Sequence, residues 1–82
     1  MYRTSEYAIE QALNLLKILL VIEDREPGML ELQEATRLNY RTVRKYVLAL
    51  ERLGLVEIEP TERKNIVRLT ERGRCIARCL VQ

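Results

Sequence analysis

The chain of 82 residues contains no histidine, no tryptophan and no phenylalanine. Without histidine there is no imidazole to serve as a general base near neutral pH, to complete a Ser-His-Asp triad or to share a zinc ion with thiolates. Most familiar hydrolytic and metal-dependent mechanisms fall away. Four tyrosines are the whole aromatic inventory, too thin for the stacking platforms on which single-strand binders lay successive bases. Three glycines and two prolines leave no room for a low-complexity linker. The longest apolar stretch, Ala12 to Ile22, contains Asn14 and Lys17 and falls well short of the ~20 residues needed to cross a bilayer, so no membrane partner is expected. Met1 to Ser5 carry one arginine and lead into Glu6 and Glu10 rather than an apolar core with a cleavage site. No secretory leader is expected, and a cytoplasmic location follows.

What is present is 48% hydrophobic and 32% charged, the mixture of one compact domain over 1–82. A domain this small buries only roughly 60–65% of the surface its unfolded chain exposes, so packing added by a partner subunit would matter. Arginine outnumbers lysine eleven to three, glutamate outnumbers aspartate eleven to one, and Asn and Gln together number six. This is either a compositional bias of the source genome or the mark of a thermophile, in which charge networks are favoured and labile amides thinned. The formal net charge is only +2, but residues 1–35 carry three basic and seven acidic side chains and residues 36–82 eleven basic and five acidic. A segregated cationic surface points to a polyanionic partner; a mixed, solvated face is the plainer explanation.

Ser5 is suited to cap a helix, and EYAIEQALNLLKILLVIEDRE runs on from it without a break until Pro27-Gly28, which predicts a long first helix over 5–26. Its apolar residues fill more than one stripe. Ile9, Ala12, Leu16 and Leu19 form one, and Ala8, Leu15, Ile18 and Ile22 another, with Leu13 and Leu20 widening the set. A helix apolar on most of its circumference must be covered on most of it. One stripe is therefore assigned to the intramolecular core and the other, Ala8, Leu15, Ile18 and Ile22, to the interface of a homodimer. MLELQEATRL then suits a short helix over 30–38, and Asn39 caps a second over 40–53, in which Val43, Val47, Leu50 and Leu53 recur at helical spacing before Gly54. LVEIE, a polar tip containing Pro60, and IVRL predict a hairpin over 55–69. Thr70 caps a closing helix over 70–82. The fold class expected is mainly α with one small β-hairpin.

The stretch LQEATRLNYRTVRKYVLALERLGLVEIE, Leu32 to Glu59, resembles the helix-turn-helix and first wing strand of bacterial and archaeal winged-helix transcription regulators. VRLTERGRCIA, Val67 to Ala77, is similar to the wing exit and following helix of the multiple-antibiotic-resistance-regulator (MarR) type and of small archaeal or archaeal-virus winged-helix proteins. Together they cover about half of the chain. The resemblance implies a winged helix-turn-helix that binds double-stranded DNA sequence-specifically as a transcriptional regulator, with no enzymatic activity and no cofactor. Two positions depart from the pattern: Gln33, where a small residue is usual, and Arg37, where the turn usually has glycine. Arginine in a left-handed turn costs about 1 kcal/mol, unless the turn takes another geometry. The chain is also short for the extended dimerisation helices of that family, so a dimer is expected to use the first and last helices alone.

The case for DNA also stands on the residues themselves. A helix fits the major groove, and the exposed side chains of its first turns reach base edges and phosphates. Here those side chains are Tyr40, Arg41, Thr42, Arg44 and Lys45, with Val43 and Val47 turned inward. Arg41 and Arg44 are the candidates for bidentate pairing with guanine, and Lys45 for phosphate. Arg63 and Lys64, at the hairpin tip, would follow the backbone or the minor groove. The plainer reading is that Arg44 and Lys45 solvate a helix face or pair with Glu51, and that the tip is an ordinary polar loop. A protein-interaction module of the same fold with an inert DNA face is the alternative from another functional class.

Cys75 and Cys79 lie four apart on one face of the closing helix. Two thiols without histidine do not complete a tetrahedral zinc site in one chain, so no metal is expected, a four-thiolate site across a dimer being the remote exception. Buried packing is the first expectation for them and an intersubunit disulfide the second. Glu57 and Glu59 share a strand face but have no matching acid, base or metal ligand, and no catalytic constellation is found.

Overall fold

A computed structural model describes residues 5–81. Gln82, placed by the sequence at the end of the last helix, and residues 1–4, on which the absence of a leader was read, lie outside the described residues. The elements are α1 (Glu6–Asp24), α2 (Met29–Thr36), α3 (Tyr40–Arg52), β1 (Val56–Pro60), β2 (Asn65–Leu69) and α4 (Glu71–Val81). Four helices and one antiparallel hairpin make the mainly helical, winged architecture that the sequence predicts.

The helix boundaries follow from capping. Ser5 Oγ accepts the N–H of Ala8 at 3.2 Å, and Asn39 Oδ1 accepts that of Thr42 at 2.8 Å, so α1 and α3 each start with an orphan donor satisfied. The turn between α2 and α3 is left-handed at Arg37, with φ 60° and ψ 21°, and the Arg37 N–H closes on the Gln33 carbonyl at 2.9 Å. Arginine thus occupies the conformation that glycine adopts without strain, and α2 stops at Thr36 rather than continuing to Leu38. At the end of α3, Gly54 has φ 75°, its N–H reaches Glu51 O, and the N–H of Leu55 reaches Leu50 O at 2.9 Å. These paired bonds are a Schellman ending, which requires a positive φ at Gly54.

The core gathers one side of each element: Ile18, Leu19 and Ile22 of α1, Met29 and Leu32 of α2, Val43, Tyr46, Val47 and Leu50 of α3, Val56, Val67 and Leu69 of the hairpin, and Ala77 of α4. Ile18, Leu32, Val43, Val47 and Val67 have no exposed surface at all. The division of α1 differs from the sequence expectation. Its two apolar stripes are sorted along the helix and not around it, because the C-terminal half packs into the core while the N-terminal half only borders α3 across a groove. Ile18 and Ile22, assigned to a dimer interface, are buried within the protomer and out of reach of a second chain; Leu15 packs partly against the same core, and Ala8 is exposed. Tyr7, Ile9 and Leu13, in the N-terminal half, are 66%, 49% and 53% exposed.

The start of α4 explains why threonine and glycine stand three apart in LTERG. Thr70 Oγ1 donates to Gly54 O at 2.6 Å and accepts the N–H of Gly73 at 3.1 Å, while the Thr70 N–H reaches Leu55 O. This ties the helix directly to the Schellman turn, so closely that a Cβ at Gly73 would lie 2.0 Å from Leu55 O. Only glycine allows that approach. Cys75 and Cys79 are exposed free thiols, which corrects the expectation of buried packing. The inward positions of α4 belong to Gly73 and Ala77, and the thiols fall on the opposite side. Among the described residues no helix is long and apolar enough to cross a membrane.

Candidate nucleic-acid interface

The segment α2–turn–α3 places the first turns of α3 on the surface, and β1–β2 stands beside them. Asn39 supplies the cap that lets α3 begin at Tyr40, and Val43, Tyr46 and Val47 fix its rotation by being buried. With that face inward, Tyr40, Arg41, Arg44 and Lys45 are exposed and Thr42 is half-buried beneath its cap. Residues four apart lie above one another on a helix, so Tyr40 with Arg44 and Arg41 with Lys45 form two rows. Tyr40 and Arg44 border a cleft on the wing side with Ile58 and Asn65. Lys45 borders a separate groove with Glu10, Gln11 and Asn14 of α1. Arg41, Arg44, Lys45 and Arg63 form no ion pair with any described residue, so all four charges are available to an external anion.

The wing is built differently from a free hairpin. Val56 pairs with Leu69 at its base and Pro60 with Asn65 at its end, and Thr61 closes the tip, its N–H reaching Lys64 O at 2.9 Å and its Oγ1 accepting the Lys64 N–H at 3.1 Å. The outer edge of β2 is held too. The N–H of Val67 reaches Pro27 O at 2.9 Å, and Gly28 bridges Ile66, so the segment after α1 acts as a short third strand. Two ion pairs repeat the connection with side chains, Arg68 Nε 3.0 Å from Glu26 and Lys64 with Glu31, and a third, Arg68 Nη1 2.5 Å from Glu59, lies within the hairpin.

This changes the standing of the two tip residues singled out in the sequence. Arg63 is exposed and unpaired among the described residues, whereas the Lys64 ammonium already has a carboxylate. The Glu31 carboxyl sits below its ordinary value, held there chiefly by hydrogen bonding to Lys64 and then by the backbone of Gly28. Glu31 is the third residue of α2, the position from which a capping-box acid faces the backbone at the helix start. Sequence reasoning passed over Glu26, Glu31, Asn65 and Arg68. For Glu31 a signal existed, an acid three residues after a helix-starting glycine; for Glu26 and Arg68, 42 residues apart, only the fold brings them together. No cluster of three or more metal-ligating side chains occurs among the described residues.

No protein-family model matches the chain, and no curated protein sequence matches it. Solved structures do. The Archaeoglobus fulgidus protein AF1382 superposes with a TM-score of 0.79 at 23% identity, over 83% of this chain and 80% of its own. Bordetella bronchiseptica BpsR, whose DNA binding is regulated by 6-hydroxynicotinic acid, gives 0.75 at 25% identity over 83% of this chain. The adhesin competence repressor AdcR of Streptococcus pyogenes gives 0.77 at 18% over 82%. The chain spans 50% of BpsR and 51% of AdcR. The fold of this protein is the winged helix of MarR-, ZitR- and AdcR-type transcription regulators.

Proposed function

We propose that this chain is a DNA-binding transcriptional regulator that acts as a homodimer and reads duplex sequence through α3. The observation that carries the reading is the cationic face of α3: Arg41, Arg44 and Lys45 are exposed on its first turns, free of any described carboxylate, beside a wing whose Arg63 is equally free. Arg41 and Arg44 are assigned to base edges, Tyr40, Thr42 and Lys45 to positioning on the backbone, and Arg63 to the flanking phosphates, with Lys64 joining it. A dimer presenting these groups twice would meet about 6–8 phosphates, which gives a slope of about −5 to −7 for log K against log salt. A mobility-shift titration at several salt concentrations tests this. A flat response would discard it in favour of a protein-interaction module of the same fold.

The second copy is assigned to the apolar surface that the protomer leaves open. Tyr7, Ile9 and Leu13 on α1, and Ile76 and Leu80 on α4, are all more than a third exposed. Stacked in a second protomer, the same residues would cover one another across a two-fold axis. Cys75 and Cys79 flank Ile76 and Leu80 on α4, so a dimer of this kind brings thiols from two chains close. Mild oxidation is expected to give a covalent dimer band on non-reducing electrophoresis that a Cys75→Ser, Cys79→Ser double variant loses.

A further inference from the structure

Between the first turn of α2, the start of α3 and the wing tip lies an open groove of about 720 Å³, lined by Met29 and Leu30 and by five polar side chains, Glu31, Tyr40, Arg63, Lys64 and Asn65. Four of these five side chains can donate a hydrogen bond into it, and Glu31 is the only carboxylate on its rim. Arg44 and Asn65 continue the same wall toward the middle of α3. The Lys64 stem lies across Gly28, where any side chain would meet it at 2.8 Å, and its ammonium ends on Glu31. Both partners are about half exposed, 48% for Lys64 and 45% for Glu31, so this is a solvated pair that opens at small cost.

We infer that Glu31 is an affinity-setting residue that stands in for a DNA phosphate: when duplex docks, one backbone phosphate enters the groove between α3 and the wing and replaces the Glu31 carboxylate as the partner of Lys64. The inference rests on the proposed DNA-binding reading and adds to it a residue that opposes binding. The groove is a track for one strand, with Tyr40 of α3, continued by Arg44, on one side and Arg63 on the other. A phosphate arriving there meets donors from Tyr40, Arg63 and Asn65 and one carboxylate that has to give way. Because the exchange involves a phosphate and no base edge, it lowers affinity for every duplex alike. It narrows the gap between a bound and an unbound wing without altering which sequence α3 prefers.

The test is Glu31→Gln in the full chain, titrated against a preferred and a random duplex at fixed salt. Glutamine keeps the length of the side chain and an acceptor oxygen at the start of α2, and a thermal melt confirms folding. Duplex binding is expected to tighten by about three- to tenfold on both duplexes, the size that follows when one exposed ion pair per protomer no longer has to be broken. Glu34→Gln, which removes the same charge from an exposed position on the same helix, should change binding less than about twofold. In a Lys64→Ala background Glu31→Gln should likewise do almost nothing. A Glu31→Gln protein that binds as the parent does, or a gain that survives removal of Lys64, overturns the exchange while leaving the DNA-binding reading intact. A parent and a Glu31→Gln protein that both fail to bind any duplex overturn both.

Discussion

Arg37 holds a left-handed backbone that its side chain disfavours, and it forms no ion pair among the described residues that would compensate. Arg37→Gly is therefore expected to stabilise the fold by about 0.5–1 kcal/mol, net of glycine's greater freedom when unfolded, and to raise Tm by about 2–6 °C in a thermal melt. Gly73→Ala should do the reverse. Its methyl group would overlap the Leu55 carbonyl, α4 would have to lift from the Schellman turn, and a loss of about 3 kcal/mol or more is expected by chemical denaturation. Glu31 supplies a pH signature. Its folded carboxyl, held by Lys64, lies below its ordinary value, so its stabilising contact is present above that ordinary value and is lost as pH falls through the lower, folded one. The Tm advantage of the parent over Glu31→Gln should thus be present at neutral pH and shrink as the pH is lowered below the ordinary carboxylate range. The residue-level devices legible in the sequence were the local ones, Ser5, Asn39 and Thr70 as caps and Gly54 as a stop, since each acts on backbone within three residues. The conformation at Arg37 was legible only as an alternative, because one residue type fits both a strained turn and a relaxed one.

At the scale of the element, α1 separates two effects that its sequence blends. Its C-terminal half is core and its N-terminal half is open surface, so equivalent substitutions in the two halves should fail differently. Ile18→Asp buries an unpaired charge and is expected to unfold the chain, seen as loss of helical circular dichroism. Leu13→Asp, at an exposed position, should leave the fold intact and return the 9.7 kDa monomer in sedimentation equilibrium, where the parent is expected at about twice that mass. Periodicity showed that α1 is apolar on several sides but could not show where along the helix the neighbours end. The same limit applied to α2, whose Leu30 faces outward while Met29 is buried, one residue earlier than the pattern of leucines suggested. For α3 the pattern held for Val43, Val47 and Leu50, which define a single inward stripe with every cation outside it, but not for Leu53, which caps the helix after Arg52 and is 59% exposed.

Over the whole molecule, the charge asymmetry of the sequence survives folding only in part. Lys64 and Arg68 of the wing are answered by acids from the N-terminal half, so beside α3, whose Arg41, Arg44 and Lys45 are in no ion pair among the described residues, the wing adds only Arg63, while Arg72, Arg74 and Arg78 form a further unpaired set on α4. Binding should therefore depend more on α3 than on the wing. Arg44→Ala is expected to cost about 1–3 kcal/mol on a preferred site and to relax its sequence preference, whereas Arg63→Ala should weaken all duplexes alike and flatten the salt slope by about one per protomer. In a dimer that presents both α3 helices to one face of DNA, footprinting should show half-sites about 34 Å apart. Element order and the cationic helix face were readable from spacing alone; the tethering of the wing was not, since Pro27-Gly28 reads in sequence only as a helix break. That tether has a bearing on colloidal behaviour. A two-stranded sheet offers two rows of unpaired backbone groups to any passing strand, yet here β2 is capped by Pro27 and Gly28, and β1 ends at Pro60, which has no N–H, and exposes Glu57 and Glu59. Neither border of the hairpin can readily recruit another chain by strand addition, so crowded solutions of this protein should resist fibril growth seeded from the wing.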